Sequence, residues 1–306
     1  MNYVELGTEK LKVSAIAVGC MRIYSMDGPA ITSFIGHCME KGLNFFDHAD
    51  IYGSGECEAK FGLALKDTGY QREELILQTK CGIHPGVMFD FSKEHILASV
   101  DASLKRLNTD YLDILLLHRP DALVEPEEVA EAFDILEKSG KVRHFGVSNQ
   151  KPMQIELLRK YVKQPLVANQ LQLSIPFSSM IANGLEVNML TDNAVDRDGS
   201  ILDYCRLHDI TIQTWSPFQY GYFEGVFLGS DKFPELNAEL EKIAAAYQVT
   251  PTAIATAWIL RHPAKMQMVS GTTTLSRIDE ISAGTGIQLT REEWYRIYLS
   301  AGHKLP

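Results

Sequence analysis

"YLDILLLH", residues 111–118, is short and apolar at nearly every position. A strand with one wet face alternates polar and apolar residues, so a run without alternation is buried on both faces, as in a parallel sheet. Its neighbours are helical. In "SKEHILASVDASLKRLN" (92–108), Ser92 is the expected N-cap and Ile96, Val100, Leu104 and Leu107 share one face. "PEEVAEAFDILEKSG" (126–140) starts on Pro126 and stops at Gly140, the asymmetry of a helix with marked ends.

The alternation continues both ways. Strands are expected in "VSAIAVGC" (13–20), "NFFDHA" (44–49), "ELILQTKCG" (74–82), "VRHFGVSN" (142–149), "LVANQLQLS" (166–174), "TIQTWSPF" (211–218) and "MQMVSGTT" (266–273). Helical patterns separate them: 56–69, closed by Gly69, then 151–162, 199–209, 233–248, 250–263 and 275–284. The segment 175–199 reads as loose chain. Eight strand–helix units in 306 residues predict an α/β fold, a (β/α)8 TIM barrel, over a doubly wound sheet. "YVELGTEKLKV" (3–13) predicts an N-terminal β-hairpin, a candidate plug under the barrel, and "TREEWYRIYLSAG" (290–302) adds a C-terminal helix behind a Thr290–Glu293 capping box. No linker divides the chain, so residues 1–306 are expected to form one domain.

Composition narrows the function. The net charge of −10 and the absence of basic runs argue against nucleic acid. The longest apolar runs fall far short of the roughly 20 residues that span a bilayer, so no membrane partner is expected. Five cysteines, none spaced C-x-x-C, argue for a reducing compartment and a cytoplasmic protein.

Barrel enzymes carry their chemistry at the C-terminal ends of the strands. Here those ends hold Asp47, followed by Tyr52, then Lys80, His118, Ser148 with Asn149, Gln170 after Asn169, and the "TWSP" and "SGTTTLSR" segments. "DHAD" (47–50) invites a metal reading with His118, but period two separates Asp47 from His48 and Asp50. If Asp47 points inward to meet Lys80, His48 points to the helices as a hydrogen-bonded structural residue, and no metal is expected. "GSGECE" (53–58) is G-x-G-x-x-E, a weak phosphate-loop signal. "SGTTTLSR" (270–277) is the better anion site, with amides at a helix start and Arg277 nearby; ordinary capping by Thr274 is the plainer alternative. Acid–base chemistry remains. A tyrosine's ordinary pKa is about 10, a nearby ammonium lowers it, and a carboxylate can hold that ammonium in place. Tyr52, Lys80 and Asp47 supply these roles, with His118 to orient a carbonyl oxygen.

At these residues the chain resembles the aldo-keto reductase superfamily, through "FFDHADIYGSGECE", "ILQTKCG", "LDILLLHRPD", "KSGKVRHFGVSN", "ANQLQLS", "TWSPF" and "SGTTTLSRIDE" in that order. The last strand region and the C-terminal tail are most similar to the bacterial YdhF-type oxidoreductases. The resemblance implies a barrel that binds NADPH across its C-terminal face and reduces small-molecule carbonyl substrates. It implies Tyr52 as general acid with Asp47, Lys80 and His118. It implies Ser148, Asn149 and Gln170 at the nicotinamide carboxamide and Trp215 stacked on the ring. Ser216, Pro217 and Phe218 would begin the pyrophosphate loop, with Gly19 and Met21 beside the cofactor. Gly271, Thr272, Arg277 and Glu280 would hold the adenosine end. Gly271 stands where many relatives carry lysine, and Ile281 where many carry asparagine, so NADPH comes first and NADH use stays open.

Tyr24, Tyr52, His84, Phe218, Tyr220 and Phe223 are candidates for an aromatic substrate pocket, and 218–230 for a loop that closes over it. Cys57 and Cys81 suggest a thiol switch. The rival readings are a pyridine-nucleotide sensor with little turnover, like the family's potassium-channel β subunits, and a metal-assisted hydrolase on the same barrel.

Overall fold

Strand parity sets what faces the axis of this molecule. A computed structural model of the chain describes residues 2–305. Eight parallel strands close into a barrel in the chain order Ile16–Gly19, Phe45–Asp47, Ile76–Cys81, Leu112–Leu117, Val142–Ser148, Leu166–Gln172, Thr211–Trp215 and Gln267–Ser270, the last pairing with the first. The expected TIM barrel is the fold found.

Along each strand alternate residues go to different cores. Leu115 and Leu117 of the fourth strand join the large apolar cluster between barrel and helices, with Val100, Leu104, Val129 and Phe133. Ile114 and Leu116 face inward with Phe45, Ala17 and Val167. Leu6 and Val13 of the antiparallel hairpin Tyr3–Leu6/Leu11–Ser14 join that inner cluster, so the hairpin plugs the N-terminal end of the barrel. The fit is close: a Cβ on Gly7 would stand 2.8 Å from the Val167 backbone.

Eleven helices surround the strands among the described residues. Ser92 caps the helix Lys93–Leu107 by accepting from the His95 amide, and Thr290 and Glu293 form the reciprocal box that starts the C-terminal helix Arg291–Ser300. The helix expected to run to Gly69 ends at Lys66. The segment read as loose holds a short helix, Ser179–Leu185, whose Met180, Ile181 and Ala182 are buried. Two short hairpins lie at the C-terminal side of the third and seventh strands: Ile83–His84/Met88–Phe89 and Gln219–Tyr220/Gly225–Val226. Strands of two residues carry no readable period.

Helix Glu56–Lys66 approaches the end of the next helix so closely that Gly62 has no room for a side chain. A Cβ there would stand 2.5 Å from the Arg106 carbonyl oxygen and 2.6 Å from that of Leu107, both backbone. Gly62→Ala is therefore expected to destabilise the protein by about 1–3 kcal/mol. Gly36→Ala, in open space on helix Gly28–Glu40, is expected to be neutral or stabilising by up to about 1 kcal/mol. Urea unfolding midpoints of the two variants beside the wild type check both.

Candidate active site

Inward parity delivers Asp47, Lys80 and His118 to one end of the barrel. Lys80 sits at the penultimate position of the third strand with no solvent exposure, and Asp47 ends the second strand at 2 %. The ammonium donates to Asp47 Oδ2 at 2.8 Å, to the His48 carbonyl at 2.8 Å and to the Tyr52 hydroxyl at 3.2 Å, which uses all three of its protons. Tyr52 opens a short 3-10 turn after the strand, where Gly53 and Gly55 take the left-handed backbone. A Cβ on Gly53 would lie 2.7 Å from the Tyr24 ring. The turn is thus a shaped support for Tyr52 rather than a phosphate loop. The rings of Tyr52 and His118 meet edge to face, centroids 6.1 Å apart.

Electrostatics corrects one expectation. Burial pushes the Tyr52 hydroxyl above its ordinary value, and the opposing effect of Lys80 does not overcome it. The side chain therefore rests as the protonated phenol. Burial alone would depress Lys80, but Asp47 and Tyr52 hold it above the usual lysine range. His118 falls well below the usual histidine range through burial, helped by Lys80 and Arg119, so its imidazole is neutral.

Beneath these groups lies a layer of glutamines, of which only Gln170 is expected from the sequence, and there as a carboxamide contact. Asp47 Oδ1 accepts from Gln78 at 2.6 Å and from Gln170 at 3.1 Å. Gln213 bonds Gln78 reciprocally at 2.9 and 3.0 Å, accepts from Gln170 at 3.2 Å and donates to Gln267 at 2.8 Å. The available signal was register: Gln78 lies two residues before Lys80, and Gln213 two before Trp215, on the same faces.

Above this floor opens a cavity of about 630 Å³. Of the residues read from the sequence, Gly19, Met21, Asp47, Tyr52, His118, Ser148, Asn149, Gln170, Trp215, Ser216, Pro217, Phe218, Gly271, Thr272 and Arg277 line it. Lys80 lies behind Tyr52, and Glu280 is outside the lining because the helix turns Ile281 inward instead. Ser148 donates to the Gln170 carbonyl at 3.0 Å, Asn149 donates to Ser148 at 2.8 Å, and the Trp215 indole donates to Asn149 at 3.2 Å. That chain of bonds fixes the indole plane. Phe223 stacks on Trp215 at 5.9 Å and Tyr222 meets its edge at 6.3 Å, so the second hairpin folds over the mouth. Of the proposed pocket aromatics, Tyr24, His84 and Tyr220 are not in the lining, whereas Tyr222 is.

Arg22, Arg119 and Arg277 also line the cavity, against Asp47 as its one carboxylate, already paired with Lys80. Arg22 donates to the Gly271 carbonyl at 2.9 Å, and its guanidinium lies 2.6 Å from where a Cβ on Gly271 would stand. A cation from the loop after the first strand thus occupies the space a side chain at 271 would need. Thr274 makes no side-chain cap on helix Leu275–Gly284, which leaves amides at that helix start unclaimed by it.

His48 is buried against the edge of Phe61, rings 4.6 Å apart, and neither ring nitrogen has a hydrogen-bond partner, contrary to the expected hydrogen-bonded role. Burial, then Lys80, lowers its pKa to about 3. All five cysteines are free and buried. Burial pushes the thiols of Cys57 and Cys81 upward, away from the reactive thiolate a redox switch needs.

The chain matches the Aldo/keto reductase family over residues 15–298. It is 38 % identical to the uncharacterized oxidoreductase YcsN of Bacillus subtilis over all of both chains. It is 33 % identical to oxidoreductase YdhF of Escherichia coli, over 96 % of this chain and 95 % of that one. The crystal structure of the thermostable aldo-keto reductase Tm1743 with the inhibitor epalrestat is similar at a TM-score of 0.79 and 25 % identity, covering 98 % of this chain and all of the other.

The Asp50 amide donates to the Lys80 carbonyl at 3.0 Å, but its side-chain Oδ1 is buried without a partner. Burial and the nearby Glu58 raise its pKa to about 7. The folded state thus binds a proton that the unfolded chain has released, and stability falls as pH rises from about 4 to 7. Asp50→Asn is expected to raise stability by about 1–2 kcal/mol above pH 7, less than the whole displacement would give because the side chain keeps some solvent contact. The gain should vanish near pH 2, below the ordinary aspartate pKa of about 4, where both states carry the proton. Unfolding midpoints of variant and wild type at the two pH values check it.

Proposed function

The chain belongs to the aldo/keto reductase family, and from that premise we propose that it reduces aldehydes or ketones to alcohols with NADPH, Tyr52 acting as the general acid. The family makes it an NAD(P)H-dependent oxidoreductase acting on small-molecule carbonyls. The observation that carries the finer reading is the Lys80 ammonium, 2.8 Å from Asp47 and 3.2 Å from the Tyr52 hydroxyl, at the floor of an arginine-lined cavity.

The residues present suit a dinucleotide phosphate. Arg22 and Arg277 bring two guanidiniums to one end of the cavity, and the helix start behind Thr274 lacks a side-chain cap. Arg277 would meet the 2′-phosphate, and Arg22 compensates for glycine at 271. Trp215 would stack on the nicotinamide, with Ser148, Asn149 and Gln170 near its carboxamide. When bound, the cofactor supplies the hydride that the carbonyl carbon receives.

This chain's residues supply the rest. His118 enters as a neutral imidazole, able to donate a hydrogen bond to the carbonyl oxygen and orient it. Tyr52 gives its proton to that oxygen as negative charge grows there. The phenolate left behind faces the Lys80 ammonium, which Asp47 and the glutamine layer hold still. Raising the resting pKa of Tyr52 keeps it protonated across the neutral range, and Lys80 stabilises the charged product of its donation. The aromatic rings of Trp215, Tyr222 and Phe223 exclude water from the reacting carbonyl. The barrel, hairpin and C-terminal helix together are read as one domain, and the free buried cysteines fit a reducing, cytoplasmic location.

Tyr52→Phe keeps the ring and removes the proton. It is expected to cut kcat for carbonyl reduction by about 10²–10⁴-fold while leaving NADPH affinity nearly unchanged. The assay is loss of NADPH absorbance against a panel of aldehydes, ketones and quinones; tight NADPH binding with no turnover by the wild type would favour a sensor instead. Arg277→Ala is expected to weaken NADPH about 10–100-fold and NADH far less. Equal losses for the two cofactors would contradict the 2′-phosphate contact.

A further inference from the structure

We propose that His84, Asp90 and His95 form a binding site for a divalent transition metal of the zinc class, which clasps the hairpin beside the cavity to the helix that follows it. One donor atom from each residue lies within 4.8 Å of the other two. The three come from successive elements: the hairpin strand Ile83–His84, the turn after Phe89, and the first turn of helix Lys93–Leu107.

Backbone contacts position Asp90 and His95, and the Ser99 hydroxyl lies 3.3 Å from His95 Nε2. The Asp90 amide donates to the Gly82 carbonyl at 3.0 Å, and Asp90 Oδ1 accepts from the Ser92 amide at 2.9 Å, so Oδ2 is the oxygen turned toward His84. The His95 amide donates to the Ser92 hydroxyl at 3.3 Å, which sets where its ring leaves the helix. The two imidazole rings lie 4.4 Å apart, centroid to centroid.

The separation of His84 Nε2 and Asp90 Oδ2 is 3.4 Å. That is long for a hydrogen bond, and His84 Nε2 is buried with no partner of proper geometry. It equals the edge of a tetrahedron whose metal–ligand bonds are about 2.0–2.1 Å, about 3.4 Å, the coordination zinc takes with histidine and carboxylate. Two imidazoles with a single carboxylate select zinc, nickel or copper over magnesium or calcium, which want more oxygen donors. The His84 side chain is 38 % exposed and that of Asp90 21 %, so solvent borders the site, while His84 Nε2 itself is covered. Ile83, next to His84, lines the cavity, so the bound ion would fix one wall of it.

The test uses the full chain without an affinity tag, stripped with a chelator and dialysed against equimolar Zn²⁺. The expected result is one zinc retained per chain and a rise in the thermal midpoint, as for any ligand of the folded state alone. Co²⁺ should give the visible absorption of a tetrahedral nitrogen–oxygen site. His84→Gln and His95→Gln should each abolish retention, the midpoint rise and the cobalt spectrum, while their metal-free midpoints stay near that of the wild type. His95→Gln tests the site independently should His84→Gln disturb the hairpin. No zinc retained by the wild type, or equal retention in both variants, overturns the proposal.

Discussion

The buried ion pair of Lys80 and Asp47 is the constraint around which the upper half of the barrel is arranged. Removing both charges from water costs several kcal/mol per ion, and attraction offsets that only where every remaining proton and lone pair is satisfied. Here they are met from many directions. Lys80 spends its protons on Asp47, the His48 carbonyl and Tyr52, while Asp47 receives Gln78 and Gln170 besides the ammonium. Gln213 and Gln267 then tie the amides to the far side of the barrel, ending on the Ser14 carbonyl. A network with one member missing would leave a buried charge or amide unsatisfied, so the glutamines are as necessary to the pair as its own partners. The consequence for chemistry is rigidity: the Tyr52 hydroxyl meets an ammonium that has no other place to go.

Parity explains why these residues and no others meet. In a closed parallel barrel one face of each strand looks at the axis and the other at the helices. Ala17 and Gly19, Phe45 and Asp47, Gln78 and Lys80, Ile114 and Leu116 followed by His118 are successive inward positions, with Asp47, Lys80 and His118 toward the open end. Their outward neighbours Phe46, Leu77, Leu115 and Leu117 join the helix-facing core. Small inward residues matter as much: a Cβ on Gly146 would stand 2.7 Å from Leu116 and 2.8 Å from the Ala168 carbonyl, so the fifth strand leaves space that its neighbours fill.

The strand–helix alternation was legible in the sequence because burial of a parallel strand on both faces removes polar residues from it, as at 111–118, and because caps such as Ser92 and Thr290 mark helix starts chemically. The polar strand ends were legible for the opposite reason, since an Asp, Lys or His there interrupts an apolar run. The glutamine layer was not. A glutamine inside a strand is the same letter whether it faces solvent or an ion pair, and only register separates the two. The hairpins at 83–89 and 219–226 are too short for a period, and their places are set by what they cover. The direction of the Tyr52 pKa also escaped, because Lys80 announces itself in the sequence but the depth of burial that outweighs it does not.

Charge shows the same limit on a larger scale. With a net charge of −10, composition points away from nucleic acid as a partner. The cavity nevertheless gathers Arg22, Arg119 and Arg277 from three segments far apart in sequence, while its one carboxylate is neutralised from below by Lys80. A field focused in a cleft depends on the few charges that line it and on the low-dielectric walls around them, with distant surface carboxylates screened by salt. An acidic protein can therefore hold a strongly anionic cofactor, provided the fold brings its cations to one place. Arg22 shows how specific that placement is: the guanidinium can lie across the Gly271 carbonyl only because residue 271 has no side chain. The glycine that looks, in the sequence, like the loss of a cation is what admits another from the neighbouring first strand's loop.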